Sequence, residues 1–219
     1  MPTWTPDSRS ARVDEILSRA PVLPVLGIER IDDAVPLARS LVEAGLPVLE
    51  ITLRSAVAIE AIRRIAAEVP GALVGAGTVL DAASLRAVAD AGALFAIAPG
   101  ATEALYAAAA DSAIPFLPAV ATASELMRGL EHGHHRFKFF PAASSGGVDA
   151  LRAFSGPFSR VRFCPTGGID ALSAPAYLAL ANVVTVGGSW MVPRSALEAR
   201  DWDTIARLSR TCVNLARGR

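Results

Sequence analysis

Lysine is nearly missing from this chain. Of its 21 basic residues all are arginine except one, Lys138. Arginine stays protonated at any accessible pH and cannot act as an amine nucleophile, whereas a lysine desolvated among apolar groups can lose its proton near neutrality and attack a carbonyl. The surviving lysine therefore marks a position where arginine would not serve; the competing readings are chance survival and a point charge that holds an anion. Its neighbours are Phe137, Phe139 and Phe140, an apolar setting that fits the nucleophilic reading.

Other shortages exclude whole classes. Cysteine is limited to Cys164 and Cys212, too few for a disulfide framework and not in a Cys-x-x-Cys pair, so a reducing, cytoplasmic setting is expected. The histidines, His132, His134 and His135, crowd into one segment; a metal site draws ligands from separate elements or at helical spacing, so these read as solvated or capping residues and no metal is expected. Neither sign of charge dominates, with 21 basic and 21 acidic residues, which leaves no field for nucleic acid or an anionic membrane surface. No unbroken apolar stretch approaches the roughly eighteen residues of a membrane helix, and Met1–Asp14 lacks the apolar core of a signal peptide. Trp4, Trp190 and Trp202 read as core or subunit-contact residues, and Met127 and Met191 as packing. A small-molecule function is favoured.

What is present is a repeat of short apolar runs and helical patterns. Eight runs begin near Val22, Val48, Leu73, Leu94, Phe116, Phe137, Val161 and Val184, about 21–26 residues apart. They show little polar alternation, as parallel strands buried on both faces should. Asp32, Asp81 and Asp170 stand as N-caps, and Gly45 and Gly92 as helix ends. An open sheet of this width would expose its edges, so the units are expected to close into one (β/α)8 barrel spanning residues 1–219, with an extra helix over 8–20 covering the bottom and the barrel itself over 21–219.

In such a barrel the chemistry stands at the C-terminal ends of the strands. Period two puts Lys138 and Phe140 on one face near the end of strand six, and Val48, Glu50, Thr52 and Arg54 on one face of strand two. Glu50 and Arg54 could form a structural ion pair at the rim; the functional reading gives Glu50 the proton transfers and Arg54 a substrate carboxylate. Gly75-Ala-Gly-Thr78 ends strand three, a weak signal by itself. Thr166-Gly-Gly168 and Gly187-Gly-Ser189 follow strands seven and eight, where barrels of this kind bind phosphate, and Asp170 places a helix start just beyond the first.

The segments Glu50-Ile-Thr-Leu-Arg54, Gly75-Ala-Gly-Thr78, Phe137-Lys-Phe-Phe-Pro141, Arg162-Phe-Cys-Pro-Thr-Gly-Gly168 and Gly187-Gly-Ser-Trp190 resemble those of the 2-keto-3-deoxy-6-phosphogluconate (KDPG) and 4-hydroxy-2-oxoglutarate (KHG) aldolase family, in register from about Pro21 to the last helix. The resemblance implies a class I aldolase of the Entner–Doudoroff pathway. It would need no cofactor, take a phosphorylated keto-deoxy sugar acid as its substrate and assemble as a homotrimer. It also implies that Lys138 forms the Schiff base and Glu50 is the general acid/base, with Arg54, Thr78 and Pro99 around the pyruvyl part and Phe140 beside the imine. Thr166 would lie near the substrate carboxylate or chain, and Gly167, Gly168, Gly188 and Ser189 would hold the phosphate. Ala119 stands where the family usually has glycine, and Ala143-Ser144-Ser145 where it often has Glu-Ala-Asn. A phosphosugar isomerase with Glu50 as the enolising base, and a phosphate-ligand binder without catalysis, are the alternatives on the same fold.

Overall fold

The computed structural model describes residues 4–215. Helix α1 (Pro6–Leu17) comes first, and then strands and helices alternate: β1 (Val22–Leu26), α2 (Ala34–Glu43), β2 (Val48–Thr52), α3 (Ala58–Glu68), β3 (Leu73–Gly77), α4 (Ala82–Asp90), β4 (Ala96–Ile97) and α5 (Glu103–Ala110). The second half carries β5 (Phe116–Leu117), β6 (Ala119–Val120), α6 (Ala123–Glu131), β7 (Arg136–Phe139), α7 (Gly147–Phe154), β8 (Arg162–Pro165), α8 (Ala174–Leu178), β9 (Val186–Gly188), α9 (Arg194–Glu198) and α10 (Trp202–Asn214). Every strand pair is parallel. One sheet has the order β5-β4-β3-β2-β1-β9 and the other β6-β7-β8.

All eight apolar runs carry strand, but their lengths differ from expectation. The run from Leu94 pairs only at Ala96–Ile97, and the fifth is split by Pro118 into β5 and β6. Proline has no N–H to give the ladder, so pairing lapses there. Its carbonyl still accepts Lys138 N–H at 2.9 Å. Isolated bridges Phe163↔Val183 and Thr166↔Gly187 connect β8 to the β9 segment.

Helix ends follow local chemistry closely. After α2, Gly45 at φ 98° lets its N–H reach Val42 O at 3.0 Å while Leu46 N–H reaches Leu41 O at 2.9 Å, and Gly92 repeats the device after α4. Asp81 accepts from Ser84 N–H at 2.7 Å as the N-cap of α4. Asp32 does not cap: α2 begins at Ala34, and the carboxylate beside it, Asp33, is buried and bound by Arg30 Nε at 2.7 Å and Arg200 Nε at 2.8 Å. Asp170 caps a turn rather than a helix, accepting from Leu172 and Ser173 N–H, and α8 starts only at Ala174. The first helix starts at Pro6 rather than residue 8, because Thr5 forms a capping box with Ser8 and Pro6 fits the first turn.

Two apolar clusters sit on opposite sides of the strands. The larger lies between strands and helices and holds Phe137 and Phe139. The smaller joins Val13, Ile16 and Leu17 of α1 to Leu23, Val48, Phe95, Ile97, Leu117 and Cys164 on the inner face. Met191 is buried as expected, but Met127 is 57% exposed. No helix among the described residues is long and apolar enough to cross a membrane.

Within the histidine segment His132 ends α6 as its C-cap, in keeping with the solvated or capping role expected, but His134 departs from it. His132 stacks on Tyr106 with ring centroids 4.3 Å apart, and His134 is buried with its ring edge-on to Phe116. Burial, reinforced by the positive charge of Arg9, pushes the His134 imidazole down to about 3. The unfolded chain takes up this proton below about pH 6.5 and the folded protein does not until near pH 3. Stability is therefore complete above the ordinary histidine range and falls as pH drops through it. Between pH 7 and pH 5 the loss from this residue is on the order of 2 kcal/mol, or roughly 4–8 °C in melting temperature. Melting curves of His134→Gln at the two pH values should show a smaller acid-induced decrease than the parent; an equal decrease would assign the effect elsewhere.

Candidate active site

The even positions of β2 turn toward the inner face. Val48 joins the lower apolar layer, and Glu50 stands one step above it, buried. On β7, Lys138 rises from the same side, and its Nζ donates to Glu50 Oε1 at 2.8 Å. The two side chains are 7% and 1% exposed. The residues are 88 apart in sequence, and both are placed by alternation along parallel strands.

The aromatic setting expected of Lys138 is only partly realised. Phe137 and Phe139 point the other way, Phe137 beneath Gly129 of α6 and Phe139 edge-on to Phe154 of α7. Phe140 faces the amine, with Nζ 5.4 Å from the ring centroid. The nearest polar partner is thus a carboxylate. The rim pair between Glu50 and Arg54 does not form: Arg54 is exposed, its Nε donates to Thr52 Oγ1 at 3.1 Å, and it makes no ion pair among the described residues. Thr52 Oγ1 in turn donates to Leu26 O at 2.9 Å, which fixes the base of the arginine and leaves its terminal nitrogens for another group.

Glu50 Oε2 is buried without a hydrogen-bond partner. A buried carboxylate oxygen left open is costly, and it is free to accept a hydrogen bond from a donor on a reacting group. Cys164, the register partner of Lys138 on β8, was not legible as a site residue, although it shares the face of Thr166. Burial pushes its thiol up to about 12, with the Lys138 charge pulling down and that of Glu50 pushing up. It is held protonated and packs the floor beneath the amine.

Around this pair the strand ends supply the rest. Thr78 follows β3 with φ 59°, an uncommon conformation for a β-branched residue and one found where a site imposes strain. Thr166, buried after β8, bridges to Gly187, and a methyl on Gly187 would collide with its Oγ1. Gly167 and Gly168 take φ 102° and 72°, unavailable to most side chains, and a side chain at Gly167 would press on Phe140. Ser189 is exposed just past β9, next to Gly188. Pro99 is exposed after β4, in a separate hollow of about 340 Å³ with Val79, Leu80 and Thr102. Ala119 lies within β6 as a register partner of Lys138, not on a loop.

A cleft of about 860 Å³ is not lined by Lys138 or Glu50. It opens between the turn after β1 and the segment after β9, along Gly27, Arg30, Ser189, Trp190 and Arg194. Ser189 lines this cleft, whereas the buried Lys138–Glu50 contact does not. No group of three or more His, Cys, Asp or Glu among the described residues is placed to hold a metal ion. Chemically, the arrangement offers an amine with an acid/base at 2.8 Å, a free guanidinium, a left-handed Gly167-Gly168 turn after β8, and Gly187-Gly188 at the end of β9 instead of in a loop beyond it.

The family model, the curated relatives and the more similar solved structures agree. The family described as "KDPG and KHG aldolase" matches residues 13–208. The KHG/KDPG aldolase of Escherichia coli (strain K12) is 53% identical over 204 residues, covering 93% of this chain and 96% of that protein. The 2-dehydro-3-deoxy-phosphogluconate aldolase of Dickeya dadantii is 53% identical over 91% of this chain and 94% of its own length. Among solved structures, the KDPG aldolase of Legionella pneumophila, with pyruvate captured as a covalent carbinolamine intermediate, superposes with a TM-score of 0.89 at 46% identity, over 91% of this chain and 97% of that one. The Zymomonas mobilis ZM4 enzyme with 3-phosphoglycerate gives 0.89 at 47% identity, over 93% and 95%.

Proposed function

This chain belongs to the KDPG and KHG aldolase family, and on that premise we propose that it is a class I lyase cleaving 2-keto-3-deoxy-6-phosphogluconate to pyruvate and glyceraldehyde 3-phosphate through an imine on Lys138. The observation that carries the reading is the buried contact between the only lysine and Glu50.

A proton handed from Nζ to Oε1 across 2.8 Å leaves a neutral amine and a neutral acid. The site's net charge is unchanged, and two desolvated charges are removed. The amine then attacks the C2 ketone, and Glu50 returns its proton as the carbinolamine loses water. In the protonated imine, the C3–C4 bond breaks as its electron pair moves toward nitrogen. Glu50 takes the C4 hydroxyl proton, C4 leaves as the aldehyde, and Glu50 passes that proton to C3 of the enamine. Hydrolysis returns pyruvate and the free amine.

Arg54 is assigned to the pyruvyl carboxylate, with Thr78 and Phe140 bordering that end and Thr166 beside the chain; Pro99 is assigned there by family likeness alone, since it lines a separate hollow. Gly167, Gly168, Gly188 and Ser189 are assigned to the phosphate through their backbone N–H groups; the short α8 begins too far along to serve as the main donor. We read the strands as one (β/α)8 barrel domain, with α1 as the extra helix across its bottom. The bridges between β8 and β9 and the Lys138 bond to Pro118 O support closure. By family likeness the proposal extends to a homotrimer in the cytoplasm, where two buried, unpaired cysteines fit a reducing environment.

Kinetics on the gluconate and galactonate forms of the phosphorylated acid and on 4-hydroxy-2-oxoglutarate, measured side by side, test the substrate. The highest kcat/KM is expected for the phosphogluconate form. A preference for the unphosphorylated acid would remove the phosphate assignment.

A further inference from the structure

We infer that Gly77 is a positioning residue for Glu50, its missing side chain being the space in which the acid/base reaches Lys138. This rests on the role proposed for Glu50.

Gly77 ends β3 and is the register partner of Thr52, two residues beyond the level of Glu50. Glu50 leans along its strand toward the mouth. A Cβ on Gly77 would stand 2.7 Å from its Cγ and 2.8 Å from its Cδ, and would overlap Oε1, the oxygen that receives the Lys138 bond. Backbone conformation does not demand glycine here, because Gly77 is not among the positive-φ glycines. The demand is for volume alone.

Neither party can yield cheaply. The strand is held on both sides, by Leu53 N–H donating to Gly77 O at 2.9 Å and Val79 N–H donating to Ile97 O at 3.1 Å. Glu50 is buried, so it has little room to move aside within the layer. An added methyl should therefore drive the carboxylate off Nζ while leaving the amine in place.

The test is Gly77→Ala, alone and combined with changes at Glu50. Alone it should lower kcat by about 100-fold, within the range of a misplaced general acid/base, while pyruvate and borohydride still label Lys138. In a Glu50→Gln background the same change should cost less than about 3-fold, since a residue acting only through Glu50 has nothing further to remove. Melting gives a second reading. Gly77→Ala should destabilise the parent but barely affect Glu50→Ala, whose truncated side chain vacates the space. If Gly77→Ala fails to fold by itself, the Gly77→Ala/Glu50→Ala protein must still melt like Glu50→Ala.

Wild-type turnover in Gly77→Ala, a full second loss on top of Glu50→Gln, or equal destabilisation in both backgrounds would overturn the inference. Wild-type turnover in Glu50→Gln alone would instead overturn the role of Glu50, whatever Gly77 does.

Discussion

Replacing Lys138 with arginine should abolish aldol cleavage, with a loss of at least about 10⁴-fold, on the scale seen when a covalent nucleophile is removed. The substitution is chosen because arginine preserves what an electrostatic role would need. It keeps a positive charge, it can still donate to Glu50 Oε1, and the rest of the chain already uses arginine almost exclusively. An isomerase or binder using Lys138 as a clamp should retain much of its activity or affinity. Imine chemistry cannot survive, because a guanidinium keeps its proton and forms no such bond with a ketone under these conditions. Melting of the variant checks that its larger head has not disrupted the layer above Cys164.

Glu50→Gln is expected to reduce kcat by about 10²–10⁴-fold, the usual contribution of a positioned proton-transfer group. Glutamine matches glutamate in shape, so the loss reports proton transfer and not packing. Lys138 should still be labelled by pyruvate and borohydride, though more slowly, because carbinolamine dehydration would lack its acid. Pre-steady-state trapping alongside turnover separates the two effects. A variant that cleaves and labels at the parent rate would leave Glu50 only the structural half of a buried ion pair. Such pairs exist, and breaking one typically costs several kcal/mol of stability without any catalytic consequence.

The positions of both groups were legible because strand alternation is a local property. Lys138 with Phe140, and Glu50 with Val48 and Thr52, had to share faces once each run was read as a strand. The contact between them was not legible, since it depends on how strands 88 residues apart are brought round a common interior. The same distinction explains the error over the aromatic flanks. Phe137 and Phe139 are next to Lys138 in sequence, and adjacency on a strand puts them on the opposite face, against α6 and α7. The residue facing Nζ with charge was Glu50, which turns a dry amine into half of a proton-sharing pair.

Glycine was read for its backbone and missed for its volume. Gly167 and Gly168 do take positive φ, but Gly77 and Gly187 are ordinary in backbone and matter for the side chains that fill their places. Nothing within a few residues of Gly77 points to Glu50. The burial of His134 was hidden for a related reason: three histidines in a row of four look solvated until Tyr106, Phe116 and Arg9 arrive from distant elements.

The most direct measurement is peptide mapping by mass spectrometry after incubation with pyruvate and borohydride. A single reduced pyruvyl group on Lys138, absent from Lys138→Arg, is the expected result. An unlabelled Lys138 in protein that is actively cleaving its substrate would contradict the imine and with it the proposed chemistry.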